Sequence, residues 1–218
     1  MKKILLSFAA LAGSMAADNH CTKPYAFHLG AQGGYLSQFS SYDRAFVNGN
    51  KDTSKISGEN AIGGLFVGGH YVMGDFVLGL DIFANYADCK AEQKTNPDNT
   101  LNLISSLKIK HTFGAAFQFG YMFQGTVPYL KIGVAQTKWE LTTSNTSLGM
   151  NNKKKSSSNK TGLLLGAGAD MFLTKEFKLG FEYNHIRYDG FSHKNSLGEK
   201  FGVKPRTNTF MLRAAWVI

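Results

Sequence analysis

The chain lacks any internal run of about 18 apolar residues, which excludes a helical membrane span downstream of its N-terminal segment. Proline is scarce, 4 residues in 218, while glycine (24) and aromatics (13%) are plentiful. That balance suits all-β architecture with tight turns better than a helical bundle. Charged residues make up only 18% of the chain, and acids are fewer than bases, 15 against 24, for a formal charge of +9. A basic chain invites a nucleic-acid reading, but no nucleic-acid motif is present and none is expected to bind. Neither a metal nor a cofactor is expected. Mean hydropathy is −0.18. That value does not exclude a membrane barrel, because only alternate residues of each strand would face lipid.

At the N-terminus, Met1-Lys2-Lys3 precedes the apolar stretch Ile4 to Leu11 and then Gly13-Ser14-Met15-Ala16-Ala17. A basic region, a short apolar core and small residues before a polar segment make an export signal, with cleavage expected after Ala16 or Ala17. Residues 1–17 are therefore read as a signal peptide and 18–218 as one domain. Loss of Lys2 and Lys3 takes the formal charge from +9 to +7. Cys21 follows Asp18-Asn19-His20, which does not fit a lipobox.

From Tyr25 onward the dominant period is two, the spacing of side chains that alternate between the faces of a strand. It recurs eight times: Tyr25 to Ser37, Asn60 to Tyr71, Phe76 to Tyr86, Leu107 to Tyr121, Pro128 to Trp139, Thr161 to Phe172, Phe177 to Tyr188 and Arg206 to Ile218. The third shows it cleanly, Phe76, Leu78, Leu80, Ile82, Ala84 and Tyr86 opposing Val77, Gly79, Asp81, Phe83 and Asn85. The second is blurred by Ile62 and Phe66. Links after strands two, four and six are short, whereas those after one, three, five and seven run to roughly 17 to 23 residues. Alternation of short turns with long loops, and an even strand count, predict an eight-stranded antiparallel up-and-down transmembrane β-barrel.

The faces decide the solvent. One carries Leu, Ile, Val and Phe; the other carries Asp81, Lys108, Lys110, Lys131, Asp170, Lys178, Glu182 and Arg213 among small residues. With the polar face inside, the outer band is one that only lipid covers; the opposite orientation is a secreted, lipocalin-like binding barrel. Tyr25, Tyr35, Tyr71, Tyr86, Tyr121, Tyr183 and Trp216 fall near strand ends, as an aromatic girdle requires.

Pro24-Tyr25-Ala26-Phe27, Pro128-Tyr129-Leu130-Lys131-Ile132-Gly133 and Leu179-Gly180-Phe181-Glu182-Tyr183 carry a pattern-level resemblance across the mature chain. It resembles the small outer-membrane barrels: the transmembrane domain of outer membrane protein A, the opacity adhesins and the 25/31 kDa alphaproteobacterial surface antigens. The resemblance implies a bacterial outer-membrane location and a structural role with adhesion or ligand recognition through external loops. It also implies an assembly signal on the last strand, here Phe210, Leu212, Ala214, Trp216 and Ile218, read by the barrel-assembly machinery. The family usually closes on phenylalanine, and this chain has Ile218.

Inside the barrel, Asp81, Asp170 and Glu182 are expected to balance Lys108, Lys110, Lys131 and Arg213 as a lumen ion-pair network that plugs the pore. A narrow, porin-like channel is the alternative. Lys153, Lys154, Lys155 and Lys160 are expected to form a basic external loop able to attract lipopolysaccharide phosphates or an acidic host surface. The segment Ser37 to Glu59 reads as a second polar loop. No catalytic set is evident: His111 and His185 fall on the apolar face, His70 near the periplasmic rim, and His193 beside Ser192 and Ser196 in the last link. Cys21 and Cys89 are expected at opposite ends of the barrel, too far apart to bond.

Overall fold

The computed structural model describes the backbone of residues 24–45, 51–95, 102–147, 150–194 and 200–218. Among the described residues nine strands run β1 (Tyr25–Ala45), β2 (Lys51–Met73), β3 (Phe76–Thr95), β4 (Asn102–Tyr121), β5 (Thr126–Ser147), β6 (Met150–Phe172), β7 (Phe177–Tyr188), β8 (Phe191–Lys194) and β9 (Lys200–Val217). All pairings are antiparallel between neighbours, and β1 pairs with β9 to close the sheet. The short β8 pairs with the same edge of β9 as β7 does, one residue out of step beyond Asp189 and Gly190. β7 and β8 thus form one interrupted stave, and the barrel has eight. Closure leaves no unpaired edge for lipid to desolvate.

Register fixes the dimensions. From Leu29 the paired residues are Val67, Ile82, Ala115, Val134, Leu163, Arg187, Arg206 and then Phe39, ten residues further along β1. That stagger over eight strands tilts them about 40° from the axis, given a rise of about 3.3 Å and a spacing of about 4.8 Å. A barrel of this size has room inside for side chains and little else.

Both described ends of the chain meet at one rim, where Phe27 and Ile218 exchange backbone hydrogen bonds. Three tight turns share that rim. Gln124 (φ 48°) and Gly125 (φ 77°) form a two-residue hairpin loop closed by Phe123 and Thr126, with the left-handed backbone that such loops demand. Gly74 (φ 62°) serves the β2–β3 turn, and the Thr174 hydroxyl accepts from the amides of Glu176 and Phe177 in the third.

The expected alternation is present, and the strands outrun the expected ones at the other rim. The segment read as a polar loop between Ser37 and Glu59 is mostly strand, since β1 and β2 stay paired from Ser37↔Glu59 to Ala45↔Lys51. The basic segment is also strand rather than loop: Lys153, Lys154, Lys155 and Lys160 lie in β6, opposite Ser144, Thr143, Thr142 and Thr137 of β5. The physical reason is local. Thr- and Ser-rich sequence is compatible with pairing, and an antiparallel partner satisfies backbone groups that a loop would leave to water. Residues 1–23, including the segment read as an export signal and Cys21, lie outside the described residues, as do Ser196 and its neighbours.

Candidate functional site: a plugged lumen in an apolar sleeve

Outward side chains form an unbroken apolar surface. Phe27, Leu29, Leu65, Ile82, Phe113, Phe117, Leu130, Ile132, Val134, Leu163, Phe181 and Leu212 are all exposed. An apolar area of this extent on a protein requires a nonaqueous partner. On β1 the band runs from Tyr25 to Tyr35, ten residue steps that rise about 25 Å along the axis at the deduced tilt. Tyr71, Tyr121 and Trp216 lie toward the turn rim and Tyr86 toward the other, all exposed. These amphipathic rings match the interfaces of a bilayer.

The inward face is a set of layers. At mid-height the Arg213 guanidinium, brought in by β9, donates from Nη1 to Glu182 Oε2 (2.8 Å) and to the Tyr129 hydroxyl (2.8 Å), and from Nη2 to Asp81 Oδ2. Lys131 of β5 donates to both Glu182 oxygens at 3.0 and 3.1 Å and lies 3.6 Å from Asp81. Two carboxylates thus face two cations. Both carboxylates have further partners: Gln118 Nε2 and His28 Nε2 bond Asp81 at 2.6 and 2.8 Å, while Tyr129 and Asn184 donate to Glu182 at 2.9 and 2.7 Å. Arg213 and Lys131 further lie over the rings of Phe66 (4.0 Å) and Phe83 (5.1 Å). Such geometry is what a buried ion network requires, because desolvated charge is tolerated only with excellent pairing.

Below, toward the turn rim, Lys178 pairs with Asp170 at 2.8 Å beside a buried His70, which stacks on His28. A cleft of only about 20 Å³ remains there, lined by His70, Tyr129, Asp170, Lys178 and neighbours, enough for about one water. Above the network come Ile62, Leu164, Met211 and Ile186, then a hydroxyl chain in which Thr137 bonds Thr112 (2.8 Å) and Tyr188 (2.7 Å). Trp139 packs edge-on against Tyr188 and, with Ile109, Leu36 and Cys89, closes the upper lumen.

Of the seven acids and bases expected to meet, Asp81, Lys131, Glu182 and Arg213 converge. Asp170 has Lys178 instead, a residue of the same inward face. Lys108 and Lys110 leave the lumen: register slips between Ile109 and Thr112, so that both of these face inward. The extra residue of the bulge inverts alternation beyond it. Lys108 then pairs with Asp88 and Lys110 with Glu140, each at 2.7 Å, both partly exposed. Ile109 occupies the lumen position where the uninterrupted pattern predicts a lysine. Cys89, expected beyond the end of its strand, lies within β3 with a free, fully buried thiol. Ile62 and Phe66, ambiguous in sequence, point inward with Tyr129, Trp139 and Tyr188. Inward aromatics carry no distinguishing mark in a chain whose outer face is equally aromatic.

His185 faces outward and bonds Asn208 at 2.7 Å, and His111 packs against Phe113. Among the described residues, no group of three or more His, Cys, Asp or Glu is disposed to hold a metal ion.

A closed barrel with a charged, filled lumen and an apolar sleeve about a bilayer tall defines an integral outer-membrane protein. The chain belongs to the outer membrane protein beta-barrel domain family, whose model matches residues 4–216. Among solved structures it is similar to outer membrane protein OprG of Pseudomonas aeruginosa, at 13% identity over 92% of this chain and 99% of that one, with a TM-score of 0.55. It also aligns with Ail, the attachment invasion locus protein of Yersinia pestis (14%, 86% and 98%, 0.35). The outer membrane protease OmpT of Escherichia coli aligns too (8%, 90% and 98%, 0.48). These likenesses concern fold. Small barrels of this family are generally non-enzymatic. A search of curated protein sequences finds no match.

Proposed function

We propose that this protein is a sealed outer-membrane anchor whose working surface is the strand extension standing above the bilayer, acting in surface recognition. The observation that carries this reading is the lumen itself: Arg213, Lys131, Asp81 and Glu182 neutralise one another inside a barrel too narrow to hold both that network and a solute path. Function then falls to what projects. The β5–β6 hairpin stays paired up to Ser147↔Met150 and carries Lys153, Lys154 and Lys155. Three successive cations on a paired hairpin favour a polyanionic partner, such as an acidic host surface or lipopolysaccharide, through attraction that salt screens. The outward row Phe210, Leu212, Ala214, Trp216 and Ile218 is the surface we assign to recognition by the assembly machinery, and residues 1–17 to a signal removed on export.

The test is retention of the purified, folded protein on immobilised sulfated polysaccharide, compared with a K153Q/K154Q/K155Q variant. Salt-sensitive retention that the variant loses supports the reading. Equal retention of both proteins, or none of the wild type at low salt, sinks it.

A further inference from the structure

At the upper edge of the apolar sleeve, the outward faces of β7 and β9 step from lipid-like to cationic within two residue pairs. Tyr183 lies opposite Phe210, His185 opposite Asn208 in the hydrogen-bonded pair described above, and Arg187 opposite Arg206. Both arginines are exposed, and Arg187 is also paired across to Leu163 of β6, an exposed apolar residue of the sleeve. The two guanidinium groups therefore stem from the level where acyl chains end and headgroups begin.

Like charges directly opposite each other in an antiparallel pair are destabilising, because the two Cβ atoms are only about 5 Å apart. Two cations of β4 near this rim have carboxylate partners, Lys108 with Asp88 and Lys110 with Glu140. Glu59 is engaged by the Tyr35 hydroxyl. Among the described residues, neither Arg187 nor Arg206 makes an ion pair, although Asp189 lies two residues beyond Arg187 on an exposed position.

We propose that Arg187 and Arg206 form a phosphate clamp on the outside of the barrel for a phosphorylated glycolipid of the outer leaflet, the lipid A class. A phosphate between two guanidinium groups turns a repulsive pair into two charge-assisted, forked contacts. The apolar surface of Leu163, Tyr183 and Phe210 beneath it suits the attached acyl chains. The depth of the pair selects a membrane glycolipid: a soluble polyanion would have to reach the level where the lipid-facing band starts. The clamp lies outside the β5–β6 hairpin, and its fate is independent of that hairpin's partner.

The experiment uses the full folded chain in detergent, titrated with bisphosphorylated lipid A, its dephosphorylated form and phosphatidylglycerol, with bound lipid read by native mass spectrometry. Wild type should prefer the bisphosphorylated form, and R187Q/R206Q should weaken that binding about tenfold, with R187K/R206K in between. K153Q/K154Q/K155Q should bind as wild type does, separating the clamp from the hairpin. Equal binding of dephosphorylated lipid A or of phosphatidylglycerol by wild type overturns the proposal. So does undiminished binding by the double glutamine variant. If that variant does not fold, R187Q and R206Q are titrated singly, and undiminished binding by both overturns the proposal in the same way.

Discussion

Arg213 and Glu182, 31 positions apart in sequence, meet at 2.8 Å inside the barrel, each almost wholly buried. Neither would be stable there alone, and Lys131 and Asp81 complete a neutral square around them.

Removing the Arg213 charge should therefore unbalance the interior. Arg213→Gln leaves two carboxylates against one lysine, and breaking a buried pair this way costs about 3–5 kcal/mol. Adding Glu182→Gln should recover a large part of that loss by restoring neutrality. Urea unfolding in lipid vesicles, followed by tryptophan fluorescence, measures both, and a double variant no more stable than the single one would contradict this balance of charges.

The seam between β1 and β9 depends on Gly34. A Cβ there would run into the backbone of Phe210 and Met211, with no flexible side chain to yield. Gly34→Val should impair closure, seen as loss of the mobility difference between unheated and boiled samples on a gel. Gly33 neighbours it but meets nothing closer than 3.8 Å, so Gly33→Ala should keep that difference.

Cys89 points into the closed upper lumen with no exposed surface. In a Cys21→Ser background, a maleimide should label the folded protein at least about a hundredfold more slowly than the urea-unfolded protein, since reaction requires access to the thiolate. Equal rates would place Cys89 outside the lumen.

A sealed lumen predicts planar bilayers without stable conductance steps. Lys131→Ala opens space only beside Glu182 and Asp81, beneath the layers that Leu164, Met211, Ile109 and Trp139 fill, and should likewise give no steps. Regular steps from the wild-type protein would favour the channel reading.

Much was legible from residue order alone. Period-two alternation named all eight staves and their faces, because a strand's side chains alternate regardless of partner. Asp81, Lys131, Glu182 and Arg213 were legible as inward for the same reason. Lys108 and Lys110 were not, because a bulge exists only between strands: the slip between Ile109 and Thr112 is defined by what β5 places opposite.

The extent of the hairpins was likewise hidden. Ser, Thr, Asn and Lys spell a solvated loop when read singly, and become strand where an antiparallel partner supplies the hydrogen bonds, as β5 does for Lys153 to Lys160. By itself the sequence determined the class of fold, most of its lipid-facing and lumen-facing residues and the turn rim, since each follows from local periodicity and turn chemistry. Tertiary structure alone decided which charges meet, which lysines leave the lumen and that Arg187 stands against Arg206, because register couples residues whose separation in sequence carries no physical signal.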